Sequence, residues 1–158
     1  MQDVNEITIV LPMPPSANDY WVPIKRGNFA AIGVSSAAKS YKLAASKIIT
    51  NHRKDFEGTE FGITKPLDCL LKAEIALYPK NLRVDSHNYP KVLMDSIERT
   101  TDKKTGKVTN PGLILNDSQI IDTRVYIAGI AENGDGYLVL TLTKTQYPFE
   151  RKTKKAKL

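Results

Sequence analysis

The chain has 158 residues, a formal net charge of +6, a hydrophobic fraction of 41% and a charged fraction of 25%. That length holds one hydrophobic core rather than two ordinary domains, so a large substrate has to be met by a surface or by a dimer. No apolar run approaches the ~20 residues that cross a bilayer, and the acidic opening Met1 to Glu6 does not read as a secretory signal, which makes the cytoplasm the expected compartment.

Taken in order, Glu6 to Pro12 reads as a strand, because Ile7, Thr8, Ile9, Val10 and Leu11 are β-branched or apolar and Pro12 halts the run. Pro14, Pro15, Ser16, Asn18 and Asp19 mark a loop, and Lys25, Arg26, Gly27 and Asn28 a basic turn. Ser35 or Ser36 has the character of an N-cap for a helix running through Lys39, Tyr41, Leu43, Ala44, Ala45, Lys47, Ile48 and Ile49. Leu67 to Tyr78 shows the partial alternation of a strand, ended by Pro79. Within it, the single Cys69 has no internal disulfide partner and is expected to be a small buried hydrophobe without a catalytic role.

Between Asn88 and Arg99, Tyr89, Val92, Leu93 and Ile97 recur at helical spacing, with Pro90 tolerable in the first turn. Thr100 to Gly112, rich in Thr, Lys, Asp and Gly, reads as an exposed, mobile excursion. Ile120 to Ile130 and Tyr137 to Lys144 then read as two strands joined by a Glu132–Gly136 turn, which predicts a terminal hairpin. The order β-α-β-α-β-β predicts an α/β or α+β sandwich: a single domain over 1–147 with a small mixed sheet and two main helices. Residues 148–158 form a basic tail, expected to be disordered, in which Arg151, Lys152, Lys154, Lys155 and Lys157 serve as a solvated end or as a phosphate-binding arm. Without the tail the body is nearly balanced in charge, so a polyanion site there has to come from local clustering.

Chemistry concentrates in Arg83-Val84-Asp85-Ser86-His87-Asn88-Tyr89-Pro90-Lys91, where a loop meets a helix. The helix start offers oriented N–H groups to an anion, and Lys91 lies one turn in. The plainer reading is structural: Asp85 or Ser86 caps the helix, Asn88 continues the turn and Lys91 pairs with Asp95 at helical spacing. Asp117, in a second loop before a strand, is by itself only a turn former, and composition alone does not bring it beside Asp85.

Four separated blocks resemble the RusA family of Holliday junction resolvases, in the family's order and across most of Ile7 to Lys144. The first is Ile9-Val10-Leu11-Pro12-Met13-Pro14-Pro15-Ser16-Ala17-Asn18-Asp19-Tyr20, similar to the family's strand, proline-rich turn and Ser-x-Asn. The second, Val34 to Tyr41, resembles the start of its first helix. The third, Asp85-Ser86-His87-Asn88 with Lys91 and Asp95, resembles its Asp-x-Asp-Asn signature, and the fourth, Leu115-Asn116-Asp117-Ser118-Gln119-Ile120-Ile121-Asp122, its Asp-Asp-x-Gln-Val motif.

The resemblance implies a homodimer that binds four-way branched DNA and makes symmetric incisions by Mg²⁺-dependent phosphodiester hydrolysis. It implies Asp85, His87, Lys91 and Asp117 as the catalytic set, with Asp85, His87 and Asp117 at the metal and Asn88, Asp95 and Asn116 supporting them. His87 stands where the family usually has an aspartate and Asn116 where it has an acidic residue. As a neutral imidazole His87 is a softer ligand than a carboxylate, which predicts a shift towards Mn²⁺; acting instead as a base, it would orient or deprotonate the attacking water. The same departure keeps an alternative in view, a RusA-like branched-DNA-binding protein of weak catalysis.

Lys25, Arg26, Arg83 and Lys91 are the expected phosphate contacts in the body of the protein. Tyr20 and Trp21 are read either as stacking platforms for exposed bases or as core or dimer contacts. His52 is expected to be a surface residue near a helix end.

Overall fold

The computed structural model describes residues 5–53, 69–132 and 134–146. In chain order the elements are β1 (Glu6–Pro12), β2 (Trp21–Arg26), β3 (Phe29–Val34), α1 (Ser36–Arg53), β4 (Leu70–Pro79), α2 (Pro90–Ile97), β5 (Thr100–Thr101), β6 (Val108–Asn110), β7 (Ile120–Ile127) and β8 (Gly136–Thr145). Short 3₁₀ turns at Ser86–Asn88 and Asp117–Gln119 lead into α2 and β7.

Alternation of side chains builds one mixed four-stranded sheet in the order β1-β8-β4-β7, antiparallel except for the parallel β4–β7 pair. Ile7, Ile9 and Leu11 sit opposite Leu142, Leu140 and Leu138, which in turn sit opposite Ala73, Ile75 and Leu77. All nine are buried on one face, where Ala38, Tyr41, Ala45 and Ile49 of α1 and Val92, Leu93 and Ile97 of α2 complete the core. The opposite face carries Thr8, Lys72, Glu74, Asp122 and Arg124 and faces water. At ~1.5–3 kcal/mol for each fully buried aliphatic side chain, this single apolar layer is what fixes the helices over the sheet.

The expected α/β architecture with two main helices and a small mixed sheet is the one observed. Ser35 caps α1, its Oγ accepting from the Ala38 amide at 3.2 Å, and Cys69 is buried and unpaired. The predicted terminal hairpin is wrong. β7 and β8 are not neighbours, because β8 inserts between β1 and β4 while β7 pairs with the far edge of β4. The connection between them crosses the end of β4, where the Ala128 and Ala131 amides donate to the Leu77 and Pro79 carbonyls at 2.8 and 2.9 Å. The physical reason lies in β4, where seven of ten residues are buried and only Lys72 and Glu74 are exposed, so that its backbone needs a partner on each edge.

The basic turn expected at Lys25 to Asn28 is the tip of a β2–β3 hairpin whose two strands were not expected, and Thr100 to Gly112, read as an exposed excursion, contains the β5–β6 ribbon. The ribbon returns to the body through Gly112 (φ 64°), packed so tightly on the Glu98–Arg99 backbone that a Cβ would collide with it. This return sets the parallel bridge between Glu98 and Ile114 and so carries the chain to Asp117 beside the end of α2. Leu67 and the predicted basic tail lie outside the described residues. No helix among the described residues is long and apolar enough to cross a membrane.

Candidate active site

Two motif loops are built alike, each with an Asx side chain capping a single 3₁₀ turn. Asp85 Oδ1 accepts from the His87 amide at 3.1 Å, and Asn116 Oδ1 from the Ser118 amide at 2.8 Å. Asp85 thus caps the short turn rather than α2, whose N-cap Tyr89 makes no side-chain cap hydrogen bond, and Asn116 caps a turn for which no cap was expected. They leave His87 and Asp117 exposed on their turns, and the Ser86–Asn88 turn packs against β7.

Lys91 and Asp95 project from one face of α2, and Asp117 stands at the start of β7. Together with Pro90, Met94, Ile120 and Thr123 they line a pocket of about 280 Å³. Residues 26 positions apart, Lys91 and Asp117, are thus brought to one concavity. Lys91 Nζ donates to Asp95 Oδ1 at 3.2 Å, and that hydrogen bond, with the carboxylate charge behind it and smaller contributions from Tyr20 and Asp117, holds the ammonium pKa above its ordinary value. A cation is the stable form of Lys91 here.

Asp95 is itself held. The hydroxyl of Tyr20, a residue only 2% exposed, donates to Asp95 Oδ2 at 2.9 Å and accepts from Lys42 Nζ at 2.7 Å. Burial first, and then the Asp95 carboxylate, push the Tyr20 phenol up to about 12, so it remains a donor throughout the neutral range. Beside them, burial and the like charges of Asp117 and Asp95 raise Glu98, a shift partly opposed by a hydrogen bond from the Asp117 amide and by Lys91.

Sequence reasoning missed Glu98, Lys42 and the Tyr20 hydroxyl. Glu98 had a signal: it follows Asp95 by three residues and Lys91 by seven, one stripe of a helix. Lys42 had none, being one lysine among several on α1. Of the two readings of Tyr20 and Trp21, burial removes base stacking for Tyr20, while Trp21 remains 54% exposed, edge-on to Tyr20 at 4.8 Å.

Asp85, His87 and Asn88 do not line the Lys91–Asp117 pocket. Asp85 instead shares the surroundings of Tyr89, whose phenol is raised by burial and by Asp85 and Asp19. Tyr89 and Asp19 also line a neighbouring cleft of about 470 Å³, in which Pro14, Pro15 and Ser16 of the first motif face Asn81 and Val84. The expected metal set is not preassembled: among the described residues no group of three or more His, Cys, Asp and Glu side chains is gathered to hold an ion. What is present is oxygen chemistry, Asp117 with Glu98 beside it, whose mutual repulsion a cation would relieve. That suits a hard ion that keeps part of its water shell and needs only one or two protein carboxylates.

Among the predicted phosphate contacts, Lys25 and Arg26 are exposed at the tip of the β2–β3 hairpin and Arg83 is exposed after β4, its amide donating to Asn81 Oδ1 at 2.9 Å. None of the three lines the Lys91–Asp117 pocket. His52 is half-buried in the last turn of α1.

No protein-family model matches the chain. Curated proteins do. The chain is 28% identical over 141 residues to the crossover junction endodeoxyribonuclease RusA of Escherichia coli strain K12, covering 89% of this chain and 97% of that protein. Over the same span it is 27% identical to the protein of that name from Shigella sonnei and 26% to the one from Enterobacteria phage 82.

Proposed function

Because the chain belongs to the RusA family of crossover junction endodeoxyribonucleases, we propose that it resolves four-way DNA junctions by hydrolysing phosphodiesters at the Lys91–Asp117 pocket. In this reading it acts in the cytoplasm, as a homodimer whose two sites make paired incisions. The observation that carries the assignment is the convergence of Lys91 and Asp117, from two separate motifs, on one pocket.

A divalent cation, when bound, supplies charge neutralisation on the phosphoryl oxygens and an activated water. Asp117, with Asp85 and His87 of the other motif, would hold it, and Glu98 adds a carboxylate at the edge of the same ground. Lys91 offers its ammonium to the negative charge that develops on the phosphoryl group. Asp95 fixes where that ammonium sits, and Tyr20, backed by Lys42, fixes Asp95. Asn116 and Asn88 belong to the turns that present the acidic motifs. Lys25, Arg26 and Arg83 supply phosphate contacts away from the scissile bond.

Incubating the full chain with a labelled four-way junction, with and without Mg²⁺ or Mn²⁺, tests this directly. Metal-dependent, symmetrically placed incision is expected, and its loss in Asp85→Asn. Tight binding without incision would instead establish the second reading, a branched-DNA-binding protein of weak catalysis. The absence of a preassembled three-ligand cluster among the described residues is the observation that keeps that reading in play.

Two expectations follow. Tyr20→Phe removes one hydrogen bond from Asp95 and leaves Lys42 without its acceptor. It should lower the maximal incision rate about tenfold, the equivalent of ~1.4 kcal/mol for one positioning hydrogen bond, while junction affinity stays within about twofold. A fall in affinity with an unchanged rate would assign Tyr20 to substrate binding instead. For His87, calorimetric titration of Mn²⁺ and Mg²⁺ into wild type and His87→Asp, together with cleavage rates in each metal, should show the ratio of affinities moving towards Mg²⁺ in the variant. Equal ratios in the two proteins would remove His87 from the metal site.

A further inference from the structure

The β2–β3 hairpin stands outside the four-stranded sheet and carries large apolar side chains that are exposed among the described residues. Its base is closed by the Ser35 amide donating to the Tyr20 carbonyl at 2.8 Å. Its tip is a two-residue turn in which Gly27, at φ 59°, takes the first central position, the place where a tight hairpin turn of this hand favours glycine. Arg26 and Phe29 are directly opposed across that tip, so guanidinium and ring lie on the same side of the ribbon. Phe29 is 79% exposed and Ile32 74%. From Trp21 to Val34 the only charges are those of Lys25 and Arg26, both positive.

Isolated exposed apolar side chains are ordinary on protein surfaces. An exposed aromatic ring at the end of an arm, flanked by two cations and no carboxylate, is a more particular combination. It matches a polyanion that also offers π-faces, which is nucleic acid with unstacked bases. The arm is rooted at Tyr20, whose hydroxyl holds Asp95 and through it Lys91. The six residues of β2 extend the tip roughly 20 Å from that root at the usual rise of a strand. Along a duplex this is about six base-pair steps.

We infer that the β2–β3 hairpin is a branch-point probe, in which Lys25 and Arg26 hold backbone phosphates and Phe29 stacks on a base left exposed where duplex arms part. The inference rests on the junction-cleaving reading and adds to it a structural element that recognises the branch rather than cutting it.

The test uses the full chain without divalent metal, binding a four-way junction with 2-aminopurine at the branch and, in parallel, a linear duplex of the same sequence. Wild type should bind the junction more tightly and change the 2-aminopurine fluorescence as the ring enters. Phe29→Ala should lose that fluorescence change and about five- to a hundredfold of junction affinity, with duplex affinity and melting temperature unaltered. Phe29→Trp should restore both. Lys25→Ala and Arg26→Ala should weaken binding to both DNAs and flatten its salt dependence.

Wild-type junction affinity and fluorescence in Phe29→Ala would overturn the probe while leaving the cleavage reading intact. Wild type that binds no branched DNA would overturn both. If sedimentation shows Phe29→Ala to be monomeric where wild type is dimeric, and junction binding falls only in step with dimer loss, the hairpin face is an interface between copies and the inference fails.

Discussion

Asp117→Asn should reduce junction incision by about a thousandfold, equivalent to ~4 kcal/mol at the transition state, while the protein still binds its substrate. Asparagine keeps the shape of the side chain and one oxygen but removes the charge with which the group would hold a cation. Asp117 is exposed and its side chain does not cap its own turn, which Asn116 does. The folding cost should therefore stay within about 0.5 kcal/mol, as for surface substitutions generally. Junction affinity measured by gel shift should hold or rise, because one carboxylate no longer repels the phosphates. Incision at the wild-type rate would remove Asp117 from catalysis and with it the Lys91–Asp117 pocket as the active site. A loss of incision accompanied by a lower melting temperature would point to structure rather than chemistry, which is why both are measured on the same preparation.

Gln119→Leu should be the most destabilising single change near the site. Gln119 is fully buried, and its side chain serves three backbone groups. Oε1 accepts from the Leu115 and Asn116 amides at 2.6 and 3.2 Å, and Nε2 donates to the Cys69 carbonyl at 3.1 Å. Leucine matches its bulk and strands all three partners. At ~1–3 kcal/mol for each buried group left unsatisfied, and with some recovered by relaxation, a loss of about 3 kcal/mol is expected. For a domain of this size that is roughly 10 °C in melting temperature. Incision should fall as well, since the same side chain completes the capping box that sets the turn bearing Asp117. Melting within about 2 °C of wild type, on the same scale, would show that the loop repacks without Gln119.

The elements legible in the sequence were those with strong periodicity. β1 and α1 were readable from one run of β-branched residues and one capped stripe, and α2 from four apolar positions. The pairing of the last two strands was not. A short turn rich in Asn, Gly and Asp predicts a hairpin locally, but the burial of β4 on both edges is a property of the whole sheet. The β2–β3 ribbon was hidden because Pro23, Gly33 and the pair Ala30 and Ala31 dilute the strand signal.

At the site, the motif residues were legible by likeness, and Lys91 with Asp95 by helical spacing. Tyr20 is the core contact that one of its two readings expected, but the hold of its hydroxyl on Asp95, 75 residues away, is written in no local pattern. Glu98 was overlooked although it shares a stripe with Asp95. Lys42 reaches the site only through the packing of α1 on α2, which no local pattern encodes.

The placement of β8 bears on how the enzyme comes into being. Among the described residues β1 pairs only with β8, from Glu6 against Thr143 to Pro12 against Tyr137, and β4 needs β8 for one of its edges. Partners so far apart in the chain cannot meet while a ribosome is still adding residues in the 120s, and such long-range pairing is slow even for a released chain. Every motif residue from Asp19 to Asp117 has then been synthesised, yet the layer that carries α1 and α2 has no centre. Lys91 and Asp95 share a turn of α2 and the Glu98–Ile114 bridge brings Asp117 near them, but the sheet on which these elements rest is completed only by the strand made after them. A chain that stops short of β8 therefore holds every motif residue without the middle of the sheet they are built on.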